Sequence, residues 1–366
     1  MPDDNPASQV PEPPVNTTDP SAVSGKSKKK LPIWAVAALV IIVVVVGAFW
    51  HFRSNSKPAN SNPTNSSSKS DQTTSSTANL PGLQLDPTKN YGNKYADGLL
   101  PVGDGRYVTS APKTGYIYTC SGYANNIQVE SGGAGKRGPW FTNNNTQYDI
   151  NKKIHVEGSV MWQADFSNQV NGNVRTIVTN DLPSHPTGTF PISPNDPAYV
   201  YDRNPNSIKG QTLTYSLNAN PTYNATPQCM GGQSGIMLTG IALFNGFDAG
   251  GRDAGAWEIQ DSCDGHPQSE GIYHYHTLSS CIKDVNGKTV IGYALDGFPI
   301  TGPKISDNNI LTTDDLDECH GITSQIVLDG KPVTMYHYVM TQDFPYSVSC
   351  FRATPIQPPG QKPQPH

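Results

Sequence analysis

Gly271-Ile272-Tyr273-His274-Tyr275-His276-Thr277-Leu278 reads as a short β-strand, because aromatic and β-branched residues fill it and glycine and proline flank it. Successive strand side chains point to opposite faces, so His274 and His276 share one side while Tyr273 and Tyr275 share the other. Two parallel imidazoles two residues apart form a pair that a metal ion can bridge, and His266 lies near enough in sequence to add a third nitrogen. The tyrosines on the opposite face are expected to pack into the core and hold the strand rigid.

A looser copy follows. Asp261-Ser262-Cys263, Tyr273-His274-Tyr275 and Cys281 are echoed by Asp317-Glu318-Cys319, Tyr336-His337-Tyr338 and Cys350. The alternative is chance similarity in a stretch rich in Tyr and His.

Around this core, the 366-residue chain is poor in charge (15%) and rich in glycine (34) and proline (32), which suits loops and strands better than helices. We therefore expect a mainly β protein, an antiparallel β-sandwich-like body with long loops. A net charge of -5 gives no basic footprint, which argues against nucleic acid as a partner.

Residues 1–30 are Pro-, Ser- and Asn-rich and read as a disordered N-terminus ending in Lys28-Lys29-Lys30. The uncharged run from Ile33 to Trp50 spans about 27 Å as a helix, matching the hydrocarbon thickness. Residues 31–52 are thus expected to be a single-pass anchor, its lysine-flanked N-terminus cytoplasmic and its C-terminal body extracytoplasmic. A cleaved signal peptide is the alternative. Residues 53–80 read as a Ser/Thr/Asn-rich stalk, 81–220 as the first part of the exported body, and 353–366 as a Pro-rich disordered tail.

All six cysteines, Cys120, Cys229, Cys263, Cys281, Cys319 and Cys350, follow the apolar run, so disulfides are expected. The repeat suggests Cys263 with Cys281 and Cys319 with Cys350, leaving Cys120 for Cys229. No Cys-x-x-Cys pair supports thiolate zinc binding.

From Cys229 onward the chain resembles the YHYH-domain family of exported or membrane-anchored proteins. The resemblance rests on Gly240 to Gly246, Asp261 to His266, Tyr273 to His276, Gly292 to Ile300, Asp317 to Gly321, and Phe344-Pro345-Tyr346 before Cys350. It implies a domain over about 221–352 and no particular activity.

His266, His274, His276, His320 and His337 are the candidate metal ligands, with Asp261 and Asp296 beside them. Glu258, Asp264 and Glu318 are further oxygen donors or partners that orient an imidazole. An imidazole-rich set favours zinc or copper over calcium. Taken alone, Asp296 has a simpler role, capping the turn after its strand. The competing reading makes all these histidines members of a buried hydrogen-bond network.

No nucleophile elbow or phosphate loop is present: Ser234 lacks the Gly-x-Ser-x-Gly frame, and the Gly132–Gly138 cluster lacks Gly-Lys-Ser/Thr. No catalytic residue is assigned. Three functions fit: an envelope module holding a divalent metal and meeting glycans or envelope proteins, a metal-dependent hydrolase or oxidase, or a purely structural, adhesive module.

Overall fold

The computed structural model describes residues 80–123 and 136–360. The expected N-terminus, anchor and stalk lie outside them, save Leu80. Among the described residues no helix is long and apolar enough to cross a membrane.

The protein is mainly β. Its centre is an eight-stranded sheet built from β1 (Gln233–Met237), β2 (Ala242–Phe244), β3 (Gly265–Pro267), β4 (Tyr273–Tyr275), β5 (Val290–Ala294), β6 (Pro299–Thr301), β7 (Gly321–Leu328) and β8 (Lys331–Val339). Their spatial order is β3-β4-β2-β1-β5-β6-β8-β7. The β2·β4 and β6·β8 pairs are parallel, so the sheet is mixed where antiparallel pairing alone was expected. A second, antiparallel sheet of Phe166–Asn171, Val174–Thr179 and Leu213–Asn218 adds Ile177, Tyr215 and Leu217 to the same apolar core as Tyr273, Tyr275, Tyr336 and Tyr338.

The central sheet consists of two equivalent halves. Gly235 opposes Ala294 and Gly292 opposes Met237 across the β1·β5 seam, with Ile236 facing Tyr293 between them. Gly235 pairs with Leu243 as Gly292 pairs with Ile300, and Leu243 then neighbours Tyr275 as Ile300 neighbours Tyr338. Gly240 and Gly297 make the matching turns with positive φ (85° and 90°), which favours glycine. The loops repeat too. Asp261 accepts hydrogen bonds from Cys263 N, Gly265 N and Tyr273 Oη, as Asp317 does from Cys319 N, Gly321 N and Tyr336 Oη. Each carboxylate fixes a tight turn and anchors the first tyrosine of its strand.

The cysteines pair 120–229, 263–281 and 319–350, as the repeat suggested. Both outer strands of the sheet are covered. Leu83 and Leu85 bond the backbone of Thr323 on β7, while Asn204 Nδ2 donates to Pro267 O on β3.

Runs of β-branched and aromatic residues predict single strands over Ile154–Trp162, Ile236–Phe244 and Trp257–Gln260, and all three differ. Ile236–Phe244 is two strands because Gly240 turns the chain between them. Ile154–Trp162 forms only isolated bridges, Val156 to Asp261 and Val160 to Thr187. Ala254–Trp257 is one helical turn capped by Asp253, where a strand from Trp257 was expected. The chain stays packed past residue 352, since Ala353 N donates to Asp296 and Ile356 N to Leu295 O.

Candidate metal centre

His266 on β3 lies directly opposite His274 on β4, and His276 follows one residue beyond the strand end. All three are buried, and their ligand nitrogens lie within 4.8 Å of one another. Glu258, just past the helical turn, brings Oε2 to 3.2 Å from His276 Nε2 and 3.4 Å from His266 Nε2.

The tautomers follow from the backbone. His274 Nδ1 lies 3.2 Å from Ile272 O and His276 Nδ1 lies 2.6 Å from Asn245 O. A carbonyl can only accept, so each Nδ1 carries a proton, and each Nε2 is the atom that the neutral imidazole offers as an acceptor. Those two Nε2 atoms face each other at 3.0 Å. Phe244 holds His274 from one side, its ring stacked 4.1 Å away.

Burial sets the charges. His274 is pushed well below the ordinary imidazole value, and His266 is pushed down to about 4. Burial opposes ionisation of Glu258, yet the neighbouring His266 and His276 outweigh it and hold the carboxyl down at about 2. His276 moves the other way, because Glu258 more than offsets its burial. Glu258 Oε2 and both nitrogens of His266 are buried with no partner of hydrogen-bond geometry among the described residues.

The remaining histidines and carboxylates lie elsewhere. His337 bonds Thr301 Oγ1 (3.0 Å) and Ser324 Oγ (2.8 Å), while His320 Nε2 meets Thr341 Oγ1 at 3.1 Å. In the second half His337 takes the place of His274, but Ile322 stands for His266 and Val339 for His276. Asp261 is spent on its turn. Asp296 caps its turn by accepting from Phe298 N and also accepts from Tyr338 Oη, and burial raises its carboxyl to about 6. Asp264 Oδ2 accepts from Ser280 N, and Glu318 pairs with Arg352. Phe244 and the Asn245 carbonyl, both unforeseen, have no sequence signal beyond the Asn245-Gly246 turn.

His266, His274, His276 and Glu258 all line one cavity of about 730 Å³. The chain matches no curated protein and no solved structure. One family model does match, over a stretch that holds the whole cluster and β1 to β6 but stops short of the second Tyr-His-Tyr strand. Residues 214–313 match the model of the family described as YHYH protein.

Proposed function

We propose that this YHYH domain binds one divalent transition-metal ion through His266, His274, His276 and Glu258. The observation that supports this is the approach of His274 Nε2 and His276 Nε2 to 3.0 Å with Glu258 Oε2 at 3.2 Å from the latter. Acceptors repel at such distances unless a positive charge lies between them. One proton serves two of them, whereas one metal ion serves all four. With metal–ligand bonds of 2.0–2.1 Å, neighbouring ligands at angles of about 90–110° lie about 2.9–3.4 Å apart. The separations of 3.0, 3.2 and 3.4 Å fall in that range, and the ligand nitrogens of the three histidines all lie within 4.8 Å of one another. Three imidazoles and a carboxylate suit zinc or copper, while calcium takes six to eight oxygens.

The wider reading is a membrane-anchored protein whose body works outside the cytoplasm. The uncharged run Ile33–Trp50, the lysines before it and three disulfides support that placement. Elemental analysis of the purified chain, before and after chelation, tests the metal reading. About one equivalent that disappears in His274→Ala/His276→Ala is the expected result. Unchanged metal content in that variant, with a lowered melting temperature, would reduce the histidines to a structural network. Protease added to intact cells should remove the body; its recovery in the supernatant would mean cleavage.

A further inference from the structure

We infer that the metal keeps a coordination position open toward the cavity, where it takes a small uncharged nitrogen- or oxygen-donor ligand. This rests on the metal-binding reading above. The four ligand side chains reach the ion from one wall: His266 and His274 are cross-strand neighbours on one sheet face, His276 continues that face, and Glu258 closes beside them. The space in front of them is the cavity of about 730 Å³, within the range that holds small-molecule ligands. Four protein ligands close a tetrahedral site, so the open position is a fifth one, of the tetragonal kind that Cu(II) takes, facing this space.

The walls set the class of ligand. Asp202, Asp248 and Glu258 line the cavity together with Phe247, Asn206 and Gln268, and among the described residues no Lys or Arg does. Asp248 is paired with Arg252 at 2.6 Å and Glu258 is taken up by the ion, which leaves Asp202 as the carboxylate that faces the space. Beyond the ion itself, a phosphate or carboxylate would find no ammonium or guanidinium on the described wall to hold it, and Asp202 would repel it. An imidazole, amine or alcohol brings a donor pair without a charge to be repelled.

Gly232 offers a way to close the space without touching the ligands. It lines the cavity, a Cβ built on it meets nothing within 4 Å, and its carbonyl accepts from Asn245 N at 2.7 Å. Gly232→Phe should therefore narrow the cavity and leave the fold intact; Gly231→Leu, equally unobstructed, is the second variant.

The test loads the full chain with Cu²⁺ and titrates imidazole or inorganic phosphate while following the visible absorption and the paramagnetic resonance of the bound ion. Imidazole should shift both signals with the copper still co-eluting with the protein, and phosphate at equal concentration should not. Gly232→Phe should retain copper and bind imidazole at least about tenfold more weakly. Bound copper whose signals ignore imidazole would overturn the open position, as would unweakened imidazole binding in both folded glycine variants. An equal response to phosphate would overturn the ligand class. Failure of the wild-type chain to hold copper or zinc would instead overturn the metal reading itself.

Discussion

Ile236 and Tyr293 face each other at the middle of the eight-stranded sheet, on the local two-fold that exchanges its halves. The glycines beside them explain how closely the two strands pack. A Cβ on Gly235 would lie 2.6 Å from Tyr293 O, and one on Gly292 would lie 2.9 Å from Ile236 O and 2.8 Å from Met237 Sδ. Gly235→Ala and Gly292→Ala should each destabilise the fold by about 1–3 kcal/mol in urea unfolding. Gly232→Ala, in open space, should cost under about 0.5 kcal/mol and serves as the control. Equal stability of all three would show that the seam tolerates side chains.

Glu258 is the single carboxylate among the four donors, and Glu258→Gln keeps its shape while removing its charge. Metal affinity should fall about 10–100-fold, since the ion would lose its one anionic partner. Competition with a chromophoric chelator reads this directly. An unchanged affinity would leave Glu258 outside the coordination shell.

His337 occupies the place of His274 in the second half without the company of other imidazoles. Its nitrogens meet Thr301 and Ser324, so His337→Ala should leave metal content intact. It should nevertheless cost about 1–3 kcal/mol, because the buried Thr301 hydroxyl and the half-buried Ser324 hydroxyl each lose a partner. Loss of metal from this variant would mean that the second half takes part in the centre.

The Cys263–Cys281 bridge closes a short loop around the Tyr-His-Tyr strand, with a sequence separation of 18. On the chain-entropy account it contributes about 3 kcal/mol. Replacing both cysteines with alanine should lower stability by about that amount and weaken metal binding, since His266 and His274 lie within the loop. A metal affinity equal to that of the parent chain would show that the strand pairing alone holds the ligands.

Burial drives His320 down to about 3, far below the ordinary value near 6.5. The folded state refuses a proton that the unfolded state accepts, so this contribution is complete above about pH 6.5 and declines as the pH falls toward 3. His320→Asn removes it, and asparagine accepts the left-handed backbone there (φ 71°). From pH 7 to 5 the parent chain should lose about 2 kcal/mol more than the variant. Asp296, raised to about 6, has the opposite dependence but is common to both chains, so it cancels in the difference. Parallel stability curves would show that His320 is protonated in the native state.

The part legible in the sequence was what strand periodicity governs. Alternation placed His274 and His276 apart from Tyr273 and Tyr275, and the repeated Asp-x-Cys and Tyr-His-Tyr order gave the disulfide pairs. What escaped depends on long-range pairing. Gly240 carries no mark of a turn when it stands between β-branched residues. Glu258 was one carboxylate among several until the helical turn brought it to the imidazoles. His320 and His337 looked equivalent to His274 because the difference lies in their neighbours, Ile322 and Val339, which the tyrosine pattern does not reveal.

The covered outer strands have a consequence for the behaviour of this protein in quantity. An open sheet edge is a row of unspent hydrogen-bonding groups that recruits other chains and seeds aggregates. Here Leu83 and Leu85 occupy the rim at β7, and Asn204 occupies the rim at β3 beside the histidines. A chain trimmed to the matched residues 214–313 would lose these guards together with β7 and β8, and would leave β6 bare. The shortened domain should therefore self-associate more than the full body, because neither Asn204 ahead of it nor β8 behind it would still cover its two rims.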